Sequence, residues 1–152
     1  MEKIKTVQIK TTQSNTYKIS SVVDKHHVII DQPIEAGGEN LGPTPLQYFL
    51  LAIAGCIGTI AKTVAKQKNI TIYKMEIDIH GDLDVMVLLG RSTQNRPGFR
   101  SIEIAVSLES DVPADEEERF LKEVERRCPV SENVLNETPI VLTLRKEAQL
   151  GV

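Results

Sequence analysis

Two cysteines, Cys56 and Cys128, are the residues of this chain best suited to chemistry. Cys56 lies deep in an apolar helical pattern, LQYFLLAIAGCIGTIAKTVAKQK. Cys128 closes a charged amphipathic pattern, ERFLKEVERRC, directly before Pro129. The two thiols are too far apart for a local CxxC motif, so they can act together only if the fold joins them. A dithiol formed in this way would indicate thiol redox chemistry, in which a thiolate is the nucleophile.

The composition is that of a globular protein with an aliphatic core. The 152 residues suit a single domain, residues 1–152, and 41% of them are apolar. Aromatic residues make up only 4%, so the core must be built mainly from Ile, Val, Leu and Ala. The net charge of −3 argues against a general nucleic-acid-binding protein, which normally carries a basic surface.

The N-terminal residues and the longest apolar stretch predict a cytoplasmic protein. The start, MEKIKTVQIK, alternates charged and apolar residues and lacks the pattern of a signal peptide. In the reducing cytosol a disulfide would be transient or catalytic rather than structural. The uncharged stretch from Pro45 to Ala61 is marginal in length for crossing a membrane. We therefore interpret it as part of a buried core helix and expect no membrane partner.

Short strands are predicted in the first third of the chain. Apolar residues recur in three runs, at 4–9, from Tyr17 to Ile19, and at 28–30. Asp24-Lys25 predicts a hairpin turn between the second and third runs. The segment 34–41, IEAGGENL, has the glycine content of a loop.

A long helix is predicted to follow this loop and to carry Cys56. Thr44 can cap the helix, and Pro45 suits its first position, where a missing N–H costs nothing. The pattern continues to Lys68, and Asn69 is the predicted stop. Apolar residues cover nearly every side before Lys62, so we expect this half to be buried all round.

The second half adds two strands and two helices before a last strand. Apolar residues alternate at 70–79 and again at 102–108, with an irregular stretch between them. A helix is predicted from Pro113, with acidic residues in its first turns, as the helix dipole favours. Ser131 is predicted to cap a short third helix, and a final strand is predicted at 139–144. This order predicts an α+β fold with a mainly antiparallel sheet.

Four motifs in a fixed order resemble a known family. They are GGENLGPTPLQYFLLAIAGC, GDLD at 81–84, RPGF at 96–99, and RRCPVSENVL around Cys128. Together they resemble the OsmC/Ohr superfamily of osmotically inducible protein C and organic hydroperoxide resistance proteins, from about Asp31 to Leu144. The GDLD and RPGF features are similar to a less characterised OsmC-like branch.

The resemblance implies both an assembly and an activity. It implies an OsmC-like intertwined homodimer, with two long central helices at its centre and sites formed by both chains. It also implies a thiol peroxidase without a cofactor, in which Cys56 attacks an organic hydroperoxide and becomes a sulfenic acid. Cys128 matches the resolving position, where it would form a disulfide that a dithiol reductant then opens.

The family's way of activating the thiolate is only partly present in this sequence. Members of the family use an arginine from the N-terminal strands and a glutamate at the start of the central helix. Here no arginine precedes Arg91, and Leu46 stands at the glutamate position. The candidates for a supporting role are Gln47, Arg96 and Arg100, with Lys18, Lys25 and Arg91 as further cations.

Other hypotheses stay open. The missing arginine and glutamate favour a protein of this fold that binds a small apolar ligand at the dimer interface, with little catalysis. A redox sensor that changes partner binding through a Cys56–Cys128 disulfide is a third hypothesis. Cysteine is also commonly an inert buried residue.

The sequence predicts no metal site. The histidine pair 26–27 lies on a predicted strand, where adjacent side chains point to opposite faces, and His80 is far along the chain. No compact Cys/His spacing appears. We interpret the acidic residues around the glycine loop, Asp31, Glu35 and Glu39, as surface charge.

Overall fold

The computed structural model describes residues 3–145, which fold into two antiparallel sheets, four α-helices and a short 3-10 helix at Ile34–Ala36. This α+β architecture agrees with the prediction. The strands are β1 Lys10–Gln13, β2 Ile19–Val23, β3 His26–Ile30, β4 Ile72–Asp82 and β5 Ser101–Ser110. The helices are α1 Pro45–Lys68, α2 Val85–Leu88, α3 Ala114–Arg126 and α4 Pro129–Leu135. One sheet has the order β1-β2-β3, and the other pairs β4 with β5.

The N-terminal sheet contains the predicted hairpin. Val23 pairs with His26 across the turn, and Asp24 adopts a positive φ of 53°. The strand predicted at 4–9 is wrong, because β1 begins only at Lys10, opposite Val22. Strand β2 ends one residue further on, at Val23, so it offers no backbone to residues that precede Ile9.

The loop after β3 is organised by Asp31. The Asp31 carboxylate accepts hydrogen bonds from the backbone N–H groups of Gln32 (2.8 Å), Glu39 (3.1 Å) and Leu41 (3.1 Å). The Leu41 N–H is the main cause that lowers the pKa of Asp31. Asp31 is 1% exposed, so the interpretation of this residue as surface charge is wrong. The carboxylate replaces the strand partners that a loop backbone lacks.

Two glycines let this loop pack against the end of β3. A Cβ atom on Gly38 would lie 2.0 Å from the carbonyl oxygen of Gln32, and one on Gly42 would lie 2.2 Å from that of Ile29. Any side chain at either position would therefore displace the backbone. This close packing fixes the direction in which the chain enters α1.

Helix α1 begins and ends where the sequence predicts. The Thr44 hydroxyl accepts a hydrogen bond from the Gln47 N–H (3.3 Å), and the Gln47 side-chain oxygen accepts one from the Thr44 N–H (2.8 Å). This reciprocal pair is a capping box, and Pro45 occupies the first turn. Asn69 ends the helix in the left-handed conformation, at φ 57°.

The core lies where α1, α3 and the residues before α4 meet. Phe120 and Val124 from α3 are each 1% exposed, and they pack with one face of α1. Strands β4 and β5 contribute partly buried aliphatic side chains. The buried core residues are Ile53, Ile57, Ala61, Val64, Ala65, Ile70, Phe120, Val124 and Cys128.

The prediction that α1 is buried all round is wrong for the single chain. Phe49 is 39% exposed and Leu51 is 58% exposed, because the other elements cover one face of the helix only. By length and composition α1 is apolar enough to cross a membrane, and 28% of its most apolar window is buried. The second apolar face of α1 therefore lacks a cover within the described residues.

The last predicted strand is also wrong for the single chain. Residues 139–144 form no helix and pair with no strand, and their large apolar side chains are 82% to 98% exposed. A strand needs a neighbouring strand edge for its backbone hydrogen bonds, and residues 3–145 provide none for this segment.

Candidate functional site: a buried dithiol

The fold brings Cys56 and Cys128 into contact. Cys56 lies in the middle of α1 and is partly buried. Cys128 follows α3 and immediately precedes α4, and it is 1% exposed. Because α3 packs along α1, the end of α3 returns the chain to the level of Cys56, and the two thiols are near enough for each to shift the pKa of the other.

Cys128 is the N-cap of α4, and this corrects the prediction for Ser131. Pro129 is the first residue of α4, so the cap must be the residue before it. Ser131 is instead the third helical residue, and both its N–H (3.5 Å) and its hydroxyl (3.2 Å) donate to the Cys128 sulfur. The structural result is a sulfur atom in the position that an oxygen usually occupies in a helix cap.

The two thiols have opposite pKa shifts. Burial raises the pKa of Cys56, and its hydrogen bond to Cys128 raises it further, against a smaller lowering by the Val130 N–H. Burial also acts to raise the pKa of Cys128, but hydrogen bonds from Cys56 and from Ser131 outweigh it, so the pKa is lowered. These surroundings disfavour a thiolate on Cys56, and the donors of Ser131 favour one on Cys128.

An apolar groove lies beside the dithiol. It has a volume of about 440 Å³ and runs between α1, β5, α3 and α4. Ser131 lines it and also touches the Cys128 sulfur, so the groove and the thiols are neighbours. Its walls are mostly aliphatic, and Glu118, Lys122 and Glu125 lie at its edge on α3. The groove suits a ligand with an apolar body.

The predicted supporting residues are engaged elsewhere in the single chain. Gln47 completes the capping box of α1. Arg100 contacts Asp84 at 3.1 Å, and Asp84 also accepts a hydrogen bond from Asn95 (2.8 Å). The Arg96 side chain folds over Gly98 within its own loop. These contacts do not join the three residues to Cys56, and their supporting role stays a prediction.

The further cations likewise show no contact with Cys56 in the described part of the chain. Lys18 contacts Glu39 at 3.7 Å. Lys25 lies in the β2–β3 turn, and the exposed Arg91 follows α2. No cation is among the groups that shift the pKa of Cys56 in the described part of the chain.

Ser131 and the Val130 N–H are site groups that sequence reasoning missed. The sequence C-P-V-S at 128–131 is the signal that could have identified them. A proline at the first helical position makes the preceding cysteine the cap and places the serine three residues after it. At that spacing the N–H of the third residue points at the cap side chain.

Comparison with known proteins identifies the family. Residues 37–144 match the family model described as OsmC-like protein, and this range includes Cys56, Cys128 and Ser131. The chain belongs to the OsmC-like family. The expected resemblance is thereby confirmed.

Individual OsmC-like relatives agree with this assignment. The chain is 28% identical over 135 residues to a hydroperoxide reductase of Mycoplasma genitalium, covering 88% of this chain and 89% of that protein. The crystal structure of an OsmC like protein from Mycoplasma pneumoniae is 22% identical, with a TM-score of 0.76, covering 88% of this chain and 89% of the other. An organic hydroperoxide resistance protein OsmC from Legionella pneumophila is 17% identical, with a TM-score of 0.58, over 88% and 91% of the two chains. These structures show that the fold is that of the OsmC family.

Proposed function

We propose that this OsmC-like protein reduces organic hydroperoxides through Cys56 and Cys128. The observation that carries the proposal is the proximity of the two thiols, which lie far apart in the sequence and come together beside an apolar groove. The name of the Mycoplasma genitalium relative, hydroperoxide reductase, supports the same chemistry.

The proposed reaction uses both cysteines once in each cycle. The Cys56 sulfur attacks the O–O bond of the hydroperoxide, which gives an alcohol and a sulfenic acid on Cys56. The Cys128 sulfur then attacks the Cys56 sulfur, water leaves, and a Cys56–Cys128 disulfide remains. A dithiol reductant, as the reducing cytosol supplies, restores the two thiols. The apolar groove would favour alkyl or lipid hydroperoxides over hydrogen peroxide.

The stoichiometry of a single oxidation tests this proposal. We expect one equivalent of cumene hydroperoxide to remove both free thiols of the reduced protein and to lower the intact mass by two hydrogens. Thiol titration and intact mass spectrometry measure these changes. Two thiols that persist for minutes, at unchanged mass, would refute the peroxidase proposal.

Binding of a small apolar ligand is the second candidate function. It is favoured by the groove of about 440 Å³ and by the high pKa of Cys56, which disfavours its thiolate. Native mass spectrometry of the freshly purified protein would show a retained ligand. Fast hydroperoxide turnover by protein that carries no ligand would contradict this second candidate.

We further propose that the protein works as a homodimer. Two apolar surfaces of the single chain are exposed to solvent. One is the second apolar face of α1, and the other is the unpaired segment 139–144, whose large apolar side chains are 82% to 98% exposed. Apolar surface of this extent normally marks a protein interface. Sedimentation at micromolar concentration should give the mass of two chains. A mass of one chain would contradict the proposal.

A further inference from the structure

We infer that Phe49 and Phe99 form an aromatic subsite beside Cys56, which makes hydroperoxides that carry an aromatic ring the preferred substrates. The inference rests on the proposed peroxidase function for the reaction itself, whereas the binding of an aromatic group can be measured without turnover. It also accounts for the motifs GDLD and RPGF, which the chemistry of the two thiols does not use.

The two aromatic rings come from different elements of the fold. Phe49 lies in the second turn of α1, and Phe99 lies just before β5, at the end of the loop that follows β4. Their ring centroids are 5.8 Å apart with 21° between the ring planes, which is a stacked pair. Phe99 is half-buried, whereas Phe49 stays 39% exposed, so part of the Phe49 surface is open to a third ring.

Gly81, the first residue of GDLD, makes room for the Phe99 ring. A Cβ atom at Gly81 would lie 2.8 Å from a carbon of that ring and 3.0 Å from the Ser101 carbonyl oxygen. Gly81 pairs with Ile102 in the ladder of β4 and β5, so the sheet sets its position. Any side chain at this position would therefore displace the Phe99 ring or the neighbouring strand.

Asp84, the last residue of GDLD, anchors the chain on the other side of Phe99. Its carboxylate contacts the Arg100 guanidinium at 3.1 Å and accepts a hydrogen bond from the Asn95 side chain at 2.8 Å. The Arg100 N–H also donates to the Asp82 carbonyl oxygen at 2.7 Å. The residue that follows Phe99 is thus held by its backbone and by its side chain, which limits the positions that the Phe99 ring can take.

Cys56 lies on the same side of α1 as Phe49. Seven residues separate them, which corresponds to two helical turns and about 10 Å along the axis. Ala52 lies between them on this side and is exposed, so its small side chain leaves an open space. Side chains of a helix tilt toward its N-terminus, so Cys56 leans toward this space. A hydroperoxide with its O–O bond at the Cys56 sulfur can place its ring over Ala52 and against Phe49.

The aromatic subsite and the groove of about 440 Å³ are different surfaces with different selectivity. The described walls of the groove include Ile57 and Val134 but neither aromatic residue of the subsite. An aliphatic wall binds rings and alkyl chains according to their apolar area. A stacked aromatic pair adds a preference of about twofold to tenfold for a ring.

The test compares two hydroperoxides that differ in one group. Cumene hydroperoxide carries a phenyl ring where tert-butyl hydroperoxide carries a methyl group, and both are tertiary. The ratio of their kcat/KM values therefore cancels changes in the thiols or in the reductant. We expect the unsubstituted protein to prefer cumene hydroperoxide, and Phe99→Leu to lower the ratio by about twofold to tenfold. Phe99→Tyr keeps the ring and should keep the ratio.

Two further variants show which surface holds the ring. Ala52→Leu fills the space beside Cys56 with a good helix former and should lower the ratio. Val134→Phe narrows the groove and should leave the ratio unchanged. An unchanged ratio in Phe99→Leu, or a ratio that falls only in Val134→Phe, would overturn the inference. Sedimentation of each variant controls for a change of assembly.

Binding of the alcohol product separates this inference from the proposed function. Cumyl alcohol cannot react with the thiols, and ligand-observed NMR measures its binding to the reduced full-length protein. We expect this binding to be weakened in Phe99→Leu and retained in Phe99→Tyr. If the unsubstituted protein reduces neither hydroperoxide, the peroxidase proposal fails, and the binding result still decides whether the subsite exists. Cumyl alcohol binding that is absent, or equal in Phe99→Leu, would overturn the inference even if turnover is fast.

Discussion

Substitution of Cys56 by serine should lower the rate of hydroperoxide turnover by at least about a thousandfold. A hydroxyl at this position cannot form a sulfenic acid, so neither the first step nor the disulfide is available. The fold should tolerate the change, because Cys56 is only partly buried and serine differs from it by one atom. Steady-state reduction of cumene hydroperoxide with a dithiol reductant measures the effect. Full activity in Cys56→Ser would refute the mechanism.

The matched control is the substitution of the other cysteine. In the proposed mechanism, Cys128→Ser keeps the attacking sulfur but removes its resolving partner. We expect slow formation of a Cys56 sulfenic acid, seen as the gain of one oxygen in the intact mass, followed by overoxidation with excess hydroperoxide. Identical products from the two variants would show that the cysteines do not have distinct roles.

Substitution of Phe120 by alanine should cause the largest loss of stability, about 3–5 kcal/mol. Phe120 is 1% exposed and packs from α3 into the core face of α1, in the same cluster that contains Cys128. Its removal leaves a cavity that the aliphatic neighbours cannot fill. Chemical denaturation of the reduced protein measures the change in the free energy of unfolding.

Two further substitutions make this prediction specific. Phe120→Leu keeps most of the apolar volume and should cost clearly less than Phe120→Ala. Tyr73→Ala removes an aromatic ring that is 68% exposed in the single chain and should cost less than either. A cost below about 1 kcal/mol for Phe120→Ala would mean that α3 does not pack on α1 as described.

Local sequence signals were sufficient to predict α1 and the N-terminal hairpin. Thr44, Pro45 and Asn69 define the ends of α1 through interactions within a few residues, so their meaning does not depend on the rest of the fold. The same holds for the turn at Asp24. The α+β class followed from the order of such elements, and the family followed from four motifs in sequence.

Predictions that depended on a distant partner failed or stayed incomplete. The apolar runs at 4–9 and 139–144 were predicted to be strands, but strands form only where another strand edge is available. The apolar residues of α1 indicated burial on all sides, although a single chain covers only one face. Asp31 looked like a surface charge because its three N–H donors lie up to ten residues away in a folded loop.

The sequence by itself identified Cys56 and Cys128 as the candidate site, and only the tertiary structure brought them together and set the surroundings of each sulfur. Cys56 and Cys128 were identifiable as the candidate thiols from their types and surroundings alone. Their contact, the burial of Cys128 and the two donors from Ser131 exist only after α3 packs on α1 and α4 begins at Pro129. The physical reason is that the pKa of a thiol depends on desolvation and on donors within a few ångströms, and in this protein the groups that set it meet only in three dimensions.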